Sequence, residues 1–200
     1  MGWGDMKGRK DVIFVSVTFF VAVAIWTWTG GVAPARGEPF PTYGTGLIQV
    51  RIYTDYFCPP CRGMEPYVEP VLKALLKRNA ITLTLVDTPF YRYSPLYSRY
   101  FLYALQAKNN SDRAFLVRNV LNEAAENRHF TTSERIEEVF KGKGISWQAF
   151  DPQPIFDRYN ALIKEDHIDA TPSCVIIRSG RKEKFVGGPD IVKALKGLQP

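Results

Sequence analysis

Apolar and polar positions along the chain sort into segments of different kinds. From Val12 to Trp28 no residue is charged, and "VIFVSVTFFVAVAIWTW" shows no amphipathic period. "LIQVRIYT" (47–54) and "AITLTLVD" (80–87) are short and rich in β-branched residues, which predicts strands. Between them Met64, Val68, Val71, Leu72, Leu75 and Leu76 recur at helical spacing, predicting a helix from Pro59 to about Lys77. Pro66 is expected to kink it. A strand–helix–strand unit of this length implies a parallel pair with a right-handed crossover.

Residues 90–166 read as helices. Tyr97, Tyr100, Phe101, Ala104 and Leu105 share a face, which leaves Tyr93 and Tyr103 free. A second helix over 111–126 buries Phe115, Val120 and Leu121. Thr131 and Glu134 stand at capping-box spacing, and Pro154 suits the first turn of a further helix. "SCVIIRS", a turn at Ser179–Gly180 and "KEKFVG" predict a hairpin, followed by a short helix from Pro189. The order is that of an α/β chain with an α-helical insertion (about 90–166) between the second and third strands.

The apolar N-terminal run belongs to another category. Lys7, Arg9 and Lys10 precede it, and positive residues there keep the N-terminus cytoplasmic and send the rest across the membrane. Residues 1–11 are thus a cytoplasmic n-region, and 12–33 a transmembrane anchor or signal-peptide core. The 17-residue run is just long enough for one span. Trp26 and Trp28 suit an outer interface, which favours the anchor. "APA" at 33–35 has the form of a cleavage site. Both readings place the folded part outside the cytoplasm, in a periplasm or on the outer membrane face. "PARGEPFPTYGTG" (34–46) reads as a linker, and 47–200 as the domain.

A length of 200 residues suits one domain with a short appendage. The net charge of +6 is spread along the chain without a basic stripe, which argues against nucleic acid as a partner.

The candidate chemistry lies in "TDYFCPPCRGMEP" (54–66). Outside the cytoplasm a nearby cysteine pair can hold a disulfide. Cys58 stands where a helix N-cap belongs, with Pro59 at the favoured first position. The positive end of the helix favours a thiolate there. Cys61 lies one turn further in, close enough to bond to Cys58 and resolve what Cys58 attacks. Neither Pro59 nor Pro60 has an amide hydrogen, so two donors to the Cys58 sulfur are missing. Because a better-stabilised reduced form makes a stronger oxidant, a mild centre is expected. A metal site and an inert staple remain the rivals. Zinc wants four ligands, and Cys174, His129 and His167 are scattered. Covalent haem would need a histidine where Arg62 stands.

With "YTDYFCPPC" ending a strand, Pro66 five residues after the second cysteine and "DATPSCVII" opening the third strand, residues 45–198 resemble the DsbA-like thiol–disulfide oxidoreductases of the thioredoxin superfamily. The helical insertion and Phe57 set this resemblance apart from plain thioredoxin. It implies a thioredoxin-like fold, a redox-active Cys58–Cys61 disulfide and no cofactor or metal. It also implies that Pro172 is cis beside the pair and that the Thr171 backbone pairs with an extended substrate.

The partners implied are protein thiols or disulfides and a membrane redox protein that recharges the pair. The chain itself is expected to be a monomer, membrane-associated through 12–33 if uncleaved. Many relatives carry a buried acid six residues before the first cysteine, where this chain has Ile52. Asp55 is the candidate proton relay in its place, set against a plain solvated loop carboxylate. Threonine before the cis-proline resembles isomerases more than strong oxidases, but residues 36–46 are too few for an isomerase's dimerisation domain.

The expected function is therefore an extracytoplasmic DsbA-like dithiol oxidase of mild potential. The alternatives are a membrane-associated reductase or isomerase and, in another class, a metal-handling or non-catalytic binding module. Cys174 is expected in the core, and His129 and His167 are assigned no role.

Overall fold

The computed structural model describes residues 39–126 and 131–198, together with Met1. The expectations for the n-region, for the apolar segment 12–33 and for His129 fall outside the described residues. Among the described residues no helix is long and apolar enough to cross a membrane.

The chain order is β1 (Thr42–Tyr43), β2 (Ile48–Thr54), α1 (Pro59–Lys77), β3 (Ile81–Asp87), α2 (Ser94–Ala107), α3 (Ser111–Glu126), α4 (Ser133–Gly142), α5 (Gln153–Glu165), β4 (Ser173–Arg178), β5 (Arg181–Val186) and α6 (Gly188–Lys196). One sheet runs β1-β3-β2-β4-β5. The β2–β3 pair is parallel, as the strand–helix–strand pattern requires, with Thr54 opposite Asp87 at its end. The β4–β5 hairpin closes through Ser179 (φ 49°) and Gly180 (φ 76°), the paired positive φ values of a tight two-residue turn. Four helices, α2 to α5, make up the insertion between β3 and β4.

The core follows the apolar stripes. Met64, Val68, Val71, Leu72 and Leu75 of α1 are buried, as are Val50, Ile52, Leu83, Leu85, Val175 and Ile176 of the sheet. α1 packs on α6, β3 and α3, and α3 packs on α2 and α4. The polar side chain of Asp166, at the end of α5, is held by Arg51 of β2, by Tyr53 of β2 and by Lys182 of β5, which ties the insertion's last helix to the sheet.

Three local expectations need correction, and one expected helix shows where it accommodates its prolines. The stretch read as a linker contains β1, which pairs antiparallel with β3. Phe40 packs on Tyr159, and the Pro41 carbonyl accepts the Leu85 N–H at 3.0 Å. Proline and glycine on either side make this strand look like loop, and only its distant partner reveals it. Second, α1 runs from Pro59 to Lys77, the extent expected for it, through both Pro66 and Pro70. Both lie on its exposed side, where water can satisfy the carbonyls they leave free. Third, α4 is capped by Thr132 rather than Thr131: its side chain accepts the Arg135 N–H, so Glu134 is not the capping-box partner. Fourth, Tyr103 is not free, because its ring packs on Tyr100 and Phe150.

The start of β2 depends on a close approach. A Cβ on Gly46 would lie 2.2 Å from the Ala80 carbonyl carbon and 2.3 Å from Ile81 N. Because both neighbours are backbone, Gly46→Ala is expected to destabilise the fold by about 2 kcal/mol or more. A lower urea midpoint with an unchanged m-value would show it.

Candidate active site

The end of β2 delivers the chain into the loop Asp55–Phe57, and α1 begins at Pro59. Cys58 is the N-cap, with extended backbone (φ −80°, ψ 112°), and its side chain caps no amide. Its carbonyl accepts the N–H groups of Cys61 and Arg62 at 3.1 and 3.2 Å. With prolines at the first two helical positions, Cys61 is the first residue of α1 that has an amide hydrogen to give.

Both thiols are nearly buried, Cys58 at 3% exposure and Cys61 at 2%. Burial, reinforced by the adjacent Cys58 sulfur, pushes the Cys61 thiol well above the ordinary range. Cys61 is therefore held as a thiol inside the first turn, while Cys58 Sγ donates to the Thr171 carbonyl at 3.3 Å. The Thr171–Pro172 bond is cis. Its loop is fixed by Gly187 N–H to the Pro172 carbonyl (2.9 Å) and Ser173 Oγ to the Ala170 carbonyl (2.8 Å). The structure thus brings Cys58, Pro59, Pro60, Cys61, Thr171 and Pro172 to one place.

Asp55 is in that place but not in solvent. It is 2% exposed. Oδ1 accepts from Phe57 N (2.8 Å) and Ser94 Oγ (2.7 Å), and Oδ2 from Phe90 N (2.7 Å) and Tyr91 N (3.4 Å). The solvated-carboxylate reading is wrong, because these donors pull the side chain inward and staple the start of α2 to the cysteine loop.

Beneath the loop lies a second polar group that the sequence reading missed. Arg118 of α3 is buried, with Nε 3.0 Å from Glu65 Oε1 and Nη2 3.3 Å from Glu65 Oε2. Nη2 also reaches Thr54 Oγ1 at 2.8 Å, and Nη1 lies 3.4 Å from Asp87 Oδ1. Tyr56 OH donates to Asp87 Oδ2 at 3.3 Å. Burial raises the Asp87 pKa to about 7 against the pull of Arg118. One signal was available: Glu65 interrupts the stripe Cys61, Met64, Val68, and a charge on a buried helix face needs a partner.

Cys174 sits fully buried on β4, opposite Ile52 of β2, and burial pushes its thiol up. Two hollows flank the pair, one apolar and one that mixes aromatic rings with the Arg62–Glu126 ion pair. Pro60, Gly63, Met64, Tyr67, Pro189 and Val192 line a hollow of ≈ 440 Å³ between α1 and α6. Phe57, Pro59, Arg62, Tyr91 and Tyr93 line another, of ≈ 520 Å³, toward the insertion. Tyr93 is half-buried there, its ring against Phe57 and Arg92. Among the described residues no three His, Cys, Asp or Glu side chains come together to hold a metal ion.

No protein-family model matches the chain, and no curated protein matches it by sequence. Solved structures do match. A proposed protein-disulfide isomerase from Pseudomonas syringae superposes with a TM-score of 0.63 at 14% identity, covering 79% of this chain and 97% of that one. Wolbachia pipientis alpha-DsbA1 gives 0.61 at 12%, covering 80% and 90%. A periplasmic thioredoxin-like protein from Salmonella enterica serovar Typhimurium gives 0.55 at 19%, covering 80% and 91%. These likenesses are of fold: the chain shares the overall architecture of these solved structures, a DsbA and a thioredoxin-like protein among them.

Two outcomes follow from the buried acids. Asp55→Ala, which strands four donors, is expected to lower stability by about 3 kcal/mol in urea unfolding. The Asp87 pKa is raised to about 7 in the fold, above its ordinary 3.8. Its contribution to stability is therefore complete below pH ~4 and is lost as pH rises through ~7. The unfolding free energy of wild type minus that of Asp87→Asn should fall by a few kcal/mol over that window, on the order set by the linkage relation, and stay level above it.

Proposed function

We propose that the chain is an extracytoplasmic thiol–disulfide oxidoreductase, working as a dithiol oxidase of mild potential on protein thiols. The observation that carries this reading is the asymmetry of the pair. Cys58 stands at the N-cap position of α1 with its sulfur on the Thr171 carbonyl, and Cys61 is held as a thiol one turn inside. The likeness in fold to alpha-DsbA1 and to a protein named as periplasmic supports it.

In the oxidised protein a substrate thiolate attacks Cys58 Sγ, the Cys58–Cys61 bond breaks, and Cys61 departs with its electron pair and takes up a proton. A second substrate thiol then attacks the mixed disulfide, releasing oxidised substrate and leaving Cys58 and Cys61 reduced. The backbone at Thr171, beside the pair, is placed to pair with an extended substrate segment, as in strand addition. Missing amide donors at Pro59 and Pro60 support a mild potential, since the reduced form gains less stabilisation. A membrane redox partner recharges the pair, and residues 12–33 keep the monomer at the membrane unless they are removed.

Cys61→Ser is expected to accumulate mixed disulfides between Cys58 and substrate proteins, visible on non-reducing gels and absent in Cys58→Ser. If no adduct forms under any redox condition, the metal-handling or non-catalytic alternatives take over. The reduction potential of the pair then fixes the direction: a tenfold change in equilibrium corresponds to about 30 mV.

A further inference from the structure

Arg118 is one cation facing two carboxyl groups, and all three side chains are buried. With both acids ionised, the cluster carries one uncompensated negative charge out of water, which is costly. With one acid protonated it is neutral. The geometry says which acid. Glu65 meets Arg118 with both oxygens, at 3.0 and 3.3 Å, whereas Asp87 has a single contact at 3.4 Å and a Tyr56 hydroxyl at 3.3 Å.

The cluster grips the cysteine loop from three sides. Thr54 ends β2, Tyr56 lies two residues before Cys58, and Glu65 follows Cys61 by one turn on the same buried face of α1. Four residues of helix rise about 6 Å.

We propose that the Arg118–Glu65–Asp87 cluster holds one exchangeable proton and that its charge sets how readily Cys61 departs as a thiolate. This deepens the exchange reading and rests on it. When the substrate thiolate attacks Cys58 Sγ, the electron pair of the broken S–S bond goes to Cys61 Sγ, which afterwards takes a proton from solvent. A neutral cluster leaves that growing negative charge unopposed. An ionised cluster, one unit negative, repels it and slows the step. Glu65, Asp87 and Arg118 are positioning residues here, because they act through Cys61.

The neighbours are compatible with a single titrating proton. Asp55 on the loop raises the proton affinity of Asp87, and Ser98 of α2 supports its ionised form. Tyr56 on the loop and Tyr159 of α5 face Asp87, and Tyr43 of β1 faces Arg118. Burial raises all three phenols, so they stay neutral. Thr54 of β2 does not titrate. The Asp87 value of about 7 puts the change of charge near neutrality.

The test is reduction of the oxidised full chain by dithiothreitol from pH 5.5 to 8.5, with the rate divided by the thiolate fraction of the reagent. Wild type should slow by about tenfold through pH ~7, the size expected of one charge acting over on the order of 10 Å at intermediate dielectric. Asp87→Asn should run flat at the fast level. So should Glu65→Gln, because Arg118 and Asp87 then remain as a balanced pair. A residue that merely supports the fold predicts no such match between the two variants.

Folded variants that both keep the wild-type step overturn the proposal. Should either variant fail to fold, the infrared band of a protonated buried carboxyl in wild type decides. Its loss near pH 7 supports the proposal, and its absence at every pH overturns it. A wild-type disulfide that dithiothreitol never reduces overturns the exchange reading together with the proposal, a result distinct from a flat profile.

Discussion

A guanidinium removed from water has to be met by acceptors, and Arg118 finds them only where four segments come together. Helix α3 brings the cation, α1 brings Glu65, and the ends of β2 and β3 bring Thr54 and Asp87. Leaving such a charge unpaired costs several kcal/mol, far more than a paired arrangement gains over an apolar one. The insertion is therefore docked on the sheet in one register, and the cysteine loop, whose two arms this contact holds, inherits that register. Asp55 adds the complementary tie from above, joining the same loop to the start of α2.

Within that frame the two cysteines acquire different surroundings from one backbone feature, the start of a helix. Cys58 lies just outside the first turn, against the Thr171 carbonyl, and Cys61 lies inside it. Burial then acts on Cys61 in favour of the uncharged thiol. The prolines between them remove amide donors without disturbing the helix, because the first positions of a helix are where a missing N–H matters least. The hollows on either side, lined by Tyr67 and Val192 toward α6 and by Tyr91, Tyr93 and Arg62 toward the insertion, follow from the same placement.

Much of this was legible in the residues because it is local. The period of Met64, Val68, Val71 and Leu72 marks α1, the β-branched run at 81–87 marks β3, and Ser179–Gly180 marks the hairpin turn. What escaped was non-local. β1 is two residues long and exists only because β3 offers an unpaired edge. Asp55 reads as a loop carboxylate until Phe90 N and Ser94 Oγ, nearly forty residues away in sequence, are folded onto it. Glu65, Asp87 and Arg118 look like three unrelated charges, since no spacing rule links positions on α1, β3 and α3.

The outer edge of the sheet bears on how such a protein meets its clients. β5, the edge strand, carries four exposed charged residues, Arg181, Lys182, Glu183 and Lys184, with Lys182 and Lys184 tied to the end of α5 and the residues after it. An unfolded polypeptide seeking a strand to pair with would have to strip water from those charges, which natural sheets use as a deterrent. A protein whose proposed task is to handle unfolded chains is thereby kept from polymerising with them. Pairing at this border is disfavoured, which under the proposed function leaves the Cys58 sulfur, just beyond the end of β2, as the place for a client to be held.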